Sequence, residues 1–469
     1  MRLPLSLLLT LAALALLAAP APSSPIADPQ SKEPPSKEPG PKAKGKLYRW
    51  ESGDGLAYEY RIPKDYDPEA GANLTFVLHG SNLSRRWTFW NHDVATFRPD
   101  DIVVSPDGTT PNGQGGFNFL QGKKDLERLH ALHAELKETF NVTATYLYGH
   151  SQGAFFSFYY AGAYPDDVQG LVGQASGVWM GTGGGKKHHH QALVLMHGTA
   201  DPVVPYGQSV GGLEFYSDMK YPMARLRSLD GWNHWPTQEQ TSQQLAWCEG
   251  MTTASPERLA AAFDELDGVK EKLDPVAYRQ VAARALELDG VPGKTRKKAE
   301  KALKEVDEAA ADHAEAIAKS VGKKNKKRRL EDEAWVGHVP LYLRHFRGVP
   351  ACDELADDWE KTLAAHDKAG KKFGKTFRDK QGSSPKDAFS AGLELCSDAF
   401  LRRQTQDEEL LSKMEAMADE AKDSGIGKKD MKTYDEIVPV LRSAIEKGQK
   451  AFGKVARRLH RRPASWSAR

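Results

Sequence analysis

Thr143-Ala144-Thr145-Tyr146-Leu147-Tyr148-Gly149-His150-Ser151-Gln152-Gly153-Ala154-Phe155-Phe156-Ser157-Phe158-Tyr159-Tyr160-Ala161 is the stretch on which the reading of this chain turns. The apolar, β-rich run to Tyr148 predicts a strand, and the run from Ala154 predicts a helix. Between them Gly149-His150-Ser151-Gln152-Gly153 spells G-x-S-x-G. Strand, sharp turn and helix form the setting in which such a serine becomes a nucleophile. Glycines on either side leave room for a strained turn that lifts the hydroxyl into the open. The alternative is a purely structural Gly-Ser turn, and residues elsewhere in the chain must separate the two.

Working outward, residues 47–250 alternate short apolar runs with helical patterns. Leu74 to Leu78, Ile102 to Val104, Val168 to Val172 and Ala192 to Met196 predict buried strands. Leu126, Leu129, Leu132 and Leu136 mark a helical stripe over 123–139. Such alternation implies crossover connections and an α/β fold with a mostly parallel sheet.

A serine hydroxyl is a weak nucleophile unless a base takes its proton and a third group orients that base. Where a turn of this type presents the serine, an acid and then a histidine follow it in the chain. Asp201 stands in His197-Gly198-Thr199-Ala200-Asp201-Pro202, directly after the strand Ala192 to Met196. The C-terminal edge of a parallel sheet is where its sites lie. The competing reading is a turn begun by Asp201 and Pro202. His234, in Trp232-Asn233-His234-Trp235-Pro236, follows the alternating run Ala224 to Leu229 and is the candidate base. His150, His197 and His188-His189-His190 compete with it. His150 on the elbow turn is expected to point away from the serine's working side. The triple histidine follows Gly183-Gly184-Gly185 and reads as a solvated loop, because adjacent residues converge poorly on one metal. Two backbone N–H groups are candidates for an oxyanion hole. One belongs to Gln152, next to the serine. The other belongs to Ser81, after Leu78-His79-Gly80, with Asn82 as its alternate.

Five pieces now stand together: Leu78-His79-Gly80, Ser105-Pro106-Asp107-Gly108, Tyr148 to Gly153, His197 to Pro205, and Trp232 to Pro236. Through them residues 47–250 resemble a compact secreted esterase of the α/β-hydrolase superfamily, near the polyhydroxybutyrate-depolymerase-like and feruloyl or acetylxylan esterase group. The resemblance implies an α/β-hydrolase fold with Ser151 as nucleophile, Asp201 as acid and His234 as base. It requires no cofactor and no metal. One scaffold hosts many chemistries, so the substrate stays open. No large cap insertion is visible before Ala192, which suits a bulky or polymeric ester, carbohydrate- or polyester-linked. Trp87, Trp90 and Trp235 are candidate substrate-binding aromatics, and Arg85 and Arg86 candidate carboxylate contacts. For Trp87 and Trp90 the competing reading is core packing.

The remaining sequence frames this segment. Arg2 and the apolar stretch Leu7 to Ala19 predict a signal peptide over residues 1–22, with an uncleaved anchor as the alternative. Residues 23–46 form a Pro-, Lys- and Glu-rich linker. An exported product, secreted or periplasmic, is expected. Residues 251–469 read as a charged all-α domain of five to seven helices with no motif tied to chemistry. The basic run Lys323 to Arg329 reads as an interhelical loop. The chain holds 65 basic against 63 acidic residues, a net charge of +2, which argues against wholesale nucleic-acid binding. Three cysteines, Cys248, Cys352 and Cys396, exclude a disulfide scaffold and leave a Cys352–Cys396 bridge open. Asn73, Asn82 and Asn141 fall in glycosylation sequons. Two other functions stay in view: a serine peptidase on the same fold, and a binding or scaffolding protein whose helices engage an envelope or protein partner.

Overall fold

The expected strands assemble into one sheet in the computed structural model, which describes residues 47–52, 55–120, 122–178, 188–229, 231–268, 274–321, 345–402, 408–420 and 426–447. The leader, the whole linker, the Gly181 to Gly185 loop and the basic run Lys323 to Arg329 lie outside the described residues. In chain order the first elements are β1 (Leu47–Glu51), β2 (Ala57–Arg61), β3 (Ala72–Leu78), α1 (Arg86–Trp90), α2 (Val94–Phe97) and β4 (Asp101–Pro106). A two-stranded ribbon, β5 (Thr110–Pro111) and β6 (Phe117–Asn118), precedes α3 (Lys123–Thr139). Then come β7 (Val142–His150), α4 (Gln152–Ala163), β8 (Gly170–Gln174), β9 (Ala192–Gly198), α5 (Gly207–Asp218), β10 (Ala224–Leu229) and α6 (Gln238–Thr252).

The sheet has eight strands in the order β1-β2-β4-β3-β7-β8-β9-β10. The six strands from β4 to β10 pair in parallel, and β1 and β2 close one edge antiparallel. The α/β class with a mostly parallel sheet is therefore as the sequence reads. Strands β3, β4, β8 and β9 are buried at every position, which is why they read as unbroken apolar runs. Helix α3 covers the sheet with Leu126, Leu129, Leu132 and Leu136, the stripe its spacing predicts. The sequon at Asn73 is closed to modification: its side chain is buried in β3 and donates to Glu249 at 2.8 Å.

Two further helices, α7 (Pro256–Asp267) and α8 (Pro275–Glu287), lie beyond residue 250, where the sequence reading puts the domain junction. Compact packing instead divides the chain after Leu303. Buried charge helps tie α7 and α8 to the earlier segment. Arg98 bonds Asp101 at 3.0 Å, Glu265 of α7 at 3.4 Å, and Glu249 of α6. Asp274 caps α8 by accepting from Val276 and Ala277 N–H, and it pairs with Arg225 of β10. The Arg225 guanidinium also lies 4.9 Å from the Trp247 ring.

The second unit begins within α9 (Gly293–Val321) and contains α10 (Pro350–Lys380), α11 (Pro385–Arg402), α12 (Glu408–Asp419) and α13 (Lys428–Lys447). Seven helices from Pro256 onward are thus present among the described residues. Phe377, Phe389, Leu393, Leu411, Met414, Val438 and Leu441 make the second unit's core. The Cβ of any other residue at Gly392 would stand 2.3 Å from Met414 Sδ, so glycine lets these helices approach. Cys352 and Cys396 are buried thiols, not bridged to each other. No helix among the described residues is long and apolar enough to cross a membrane.

Breaking the Asp274 pair tests what holds α8. Burial alone would raise this carboxyl, but Arg225 and then Arg227 outweigh it and hold it below the usual carboxylate range. A depressed folded-state value means stability that is present above the unfolded value, about pH 4, and lost as pH falls further. Asp274→Ala should cost about 3–5 kcal/mol in urea unfolding at neutral pH, because it strands Arg225 unpaired. The gap from wild type should narrow below about pH 4.

Candidate active site

Strand β7 ends at His150, α4 begins at Gln152, and Ser151 is the whole turn between them. Its backbone has φ 53° and ψ −119°, a conformation side chains disfavour. The flanking glycines explain how the turn fits. A Cβ at Gly153 would stand 2.2 Å from Leu78 O, and one at Gly149 would stand 2.5 Å from Ala154 Cα. Ser151 N–H donates to Gln174 O at 2.8 Å, while Ser151 O accepts from Ala154 and Phe155.

The candidate acid and the candidate base meet at the same edge of the sheet. Asp201 follows β9 and His234 follows β10, and His234 Nδ1 lies 2.8 Å from Asp201 Oδ2. Asp201 Oδ1 accepts from Val203 N–H at 2.7 Å and Val204 N–H at 2.9 Å. Their loops are sewn together by Ala200 N–H to Trp232 O at 2.9 Å and Gly231 N–H to Thr199 Oγ1 at 2.9 Å. His197, a competing base in the sequence, stands behind the acid with Nε2 3.2 Å from Asp201 Oδ2. Burial alone would raise the Asp201 carboxyl. Hydrogen bonds from His197 and His234 overcome that and hold it below the ordinary range, so it is ionised.

His150 does not point away from the site. Its ring stacks between Trp87 (5.2 Å) and Trp235 (5.2 Å), and lies 4.9 Å from the His234 ring. Burial above all, then the neighbouring His234, pushes its pKa well down, so the imidazole is neutral. Its Nδ1 is bonded to Gln174 Oε1. Gln174, at the end of β8, was not singled out in the sequence. A polar residue at the C-terminal end of a parallel strand beside the nucleophile strand was the available signal.

Among the described residues neither Gln152 N–H nor Ser81 N–H has a hydrogen-bond partner, as an oxyanion hole requires. The alternate donor, Asn82 N–H, is used by Phe117 O and Asn118 Oδ1, each at 3.1 Å. Trp87 is buried, stacked between His92 and His150, and so lies beneath the site, not at its rim. Trp235 is 46% exposed. The side chain of Trp90 lies outside the described ones. Arg85 is committed to Asp107 and Glu59, and Arg86 approaches Glu59, because these carboxylates are buried and need cations. The triple histidine is only partly solvated: the first ring is buried, the second half-buried and the third exposed. His188 is buried, and His189 and His190 donate through Nε2 to Met219 O and Pro165 O at 3.1 and 3.0 Å.

Residues 107–189 match the family model of the α/β hydrolase fold. With the sheet order and the serine elbow, this settles the architecture. Residues 47–250 carry an α/β-hydrolase fold. No curated protein matches the chain. Among solved structures it is similar to a Bacillus cereus carboxylesterase, at 16% identity over 42% of this chain and 94% of that one, TM-score 0.35. It is similar too to esterase PE8, at 21% identity over 40% and 97%, TM-score 0.34. Est1E of Butyrivibrio proteoclasticus, solved with ferulic acid bound, is 18% identical over 41% and 94%, TM-score 0.33.

Gly153→Ala probes the elbow directly. Its methyl meets the backbone oxygens of Leu78 and His79 and not a movable side chain. The expected result is a loss of at least about 1–3 kcal/mol in denaturant unfolding.

Proposed function

We propose that the chain is an exported serine hydrolase that cleaves carboxylic esters through an acyl-enzyme on Ser151. One observation carries the reading. The strained serine at the head of α4 shares a sheet edge with a buried aspartate hydrogen-bonded to His234 Nδ1 at 2.8 Å. With Nδ1–H donated to Asp201, His234 presents the lone pair of Nε2 and acts as base. It takes the Ser151 proton as Oγ attacks the ester carbonyl. The developing oxyanion falls to the N–H groups of Gln152 and Ser81, which are unspent. Collapse expels the alcohol, protonated by His234, and water then attacks the acyl-enzyme by the same route.

The rim favours bulky, apolar esters, polymeric ones included. Leu120, Val203, Trp232 and Trp235 are large apolar residues left exposed, all on loops at the site's edge of the sheet. The leader read in residues 1–22 underlies the export, and an envelope or protein partner is the role we assign to the helical second unit.

Hydrolysis of short-chain p-nitrophenyl esters tests the reading. Ser151→Ala should lower kcat about 10⁴-fold or more and abolish labelling by a fluorophosphonate. Asp201→Asn should lose about 10³–10⁴-fold, because the amide no longer fixes the working tautomer. Equal rates in wild type and Ser151→Ala would refute the proposal.

A further inference from the structure

Gln174 makes three hydrogen bonds that tie together the parts of the site. Its backbone oxygen accepts Ser151 N–H at 2.8 Å. Its side-chain Nε2 donates to the His234 carbonyl at 2.9 Å. Its Oε1 bonds His150 Nδ1. The residue is fully buried at the end of β8, next to the nucleophile strand. No other residue described here bonds both the serine's backbone and the base's backbone.

The chemistry of the amide fixes the direction of each bond. The His234 carbonyl only accepts, so the –NH₂ end must face it. The oxygen end therefore faces His150, which must carry its hydrogen on Nδ1. The lone pair of His150 is then on Nε2, toward Gly80, whose added Cβ would lie 3.5 Å away. A neutral ring locked in this tautomer, with a tryptophan on each face, is a rigid wall against His234. The base loop is thus held twice, by the Gln174 amide on its backbone and by Trp235 stacked on His150.

We infer that Gln174 is a positioning residue of the proposed reaction: its amide sets the distance between the serine elbow and the His234 loop. The inference rests on the esterase reading of the same site. An amide is the side chain that suits the place, since it donates on one side and accepts on the other without charge.

Two variants test it, with folding checked by thermal unfolding. Gln174→Met keeps the length and removes both side-chain bonds. It should lower kcat about 10–100-fold with KM within about 3-fold, the signature of a misplaced catalytic group and not of lost substrate binding. Gln174→Glu carries the sharper readout. Protonated, its carboxyl donates to His234 O and accepts from His150, as the amide does. Ionised, it donates nothing and repels the carbonyl. The groups facing it are His150 from β7 and the His234 loop, with Asp201 behind His234. The ratio of wild-type to Gln174→Glu kcat should therefore rise with pH. A residue that only supports the fold would lower the melting temperature and leave kcat and that ratio flat with pH, which would overturn the inference. If Gln174→Met fails to fold, the pH series on Gln174→Glu decides alone. An active wild type with unchanged Gln174 variants defeats this inference only, whereas a wild type no faster than Ser151→Ala defeats the esterase reading.

Discussion

The backbone of Ser151 sits where a side chain is disfavoured, at a cost of about 1–3 kcal/mol, and the surrounding fold keeps it there. Three restraints act at once. Gly153 brings the start of α4 against the carbonyls at the end of β3, at a distance no Cβ would allow. Gly149 does the same between β7 and α4. The hydrogen bond from Ser151 N–H to Gln174 O ties the turn to the neighbouring strand. Because β3, β7 and β8 are central and buried, the turn cannot relax without disturbing the sheet itself. The strain is therefore held by the best-packed part of the molecule, and the hydroxyl comes to the surface of that core at a fixed point.

Much of this was legible in the sequence because it was encoded locally. The apolar runs at Leu74 to Leu78 and Ala192 to Met196 are strands buried on both faces, and their turns carry Gly, Pro and Asp. The meeting of Asp201 and His234 at one sheet edge was legible because chain order and strand ends restrict where a candidate acid and base can stand. What was not legible depends on long-range partners. Trp87 reads equally as rim or core until His92 and His150 are seen stacked on its faces. Arg85 reads as a free cation until buried Asp107 and Glu59 are found beside it. The junction near residue 250 follows a real change in composition. Beyond it, Glu265 and Asp274 still reach back to arginines of the earlier segment.

Charge is distributed unevenly through the first unit. Arg98 and Arg225, with their carboxylates, anchor α6, α7 and α8, and they act through buried pairs. Around the serine the aromatic nitrogens are of another kind. Burial pushes His79 and His92 down to about 4, and His150 well below its usual value, so these rings are neutral at physiological pH. They stack and hydrogen-bond, but they add no charge beside the base. His79 even accepts, taking Gly108 N–H at Nε2 at 3.3 Å.

Neutral surroundings change what the Asp201–His234 bond is worth. The Asp201 side chain is fully buried, so its field is weakly screened and acts on His234 more strongly than it would in water. A cationic imidazole at His150, with its ring 4.9 Å from that of His234, would oppose the proton that His234 takes up in the proposed reaction. Holding His150 neutral between two indoles removes that opposition while keeping a flat, rigid surface against the base. The x of G-x-S-x-G is thus constrained here for a reason separate from the turn. The ring must be aromatic enough to stack on Trp87 and Trp235 and polar enough to meet Gln174, and it must stay uncharged. Histidine in this burial meets all three demands, which links the second residue of the motif to His234, the proposed base, some eighty residues downstream.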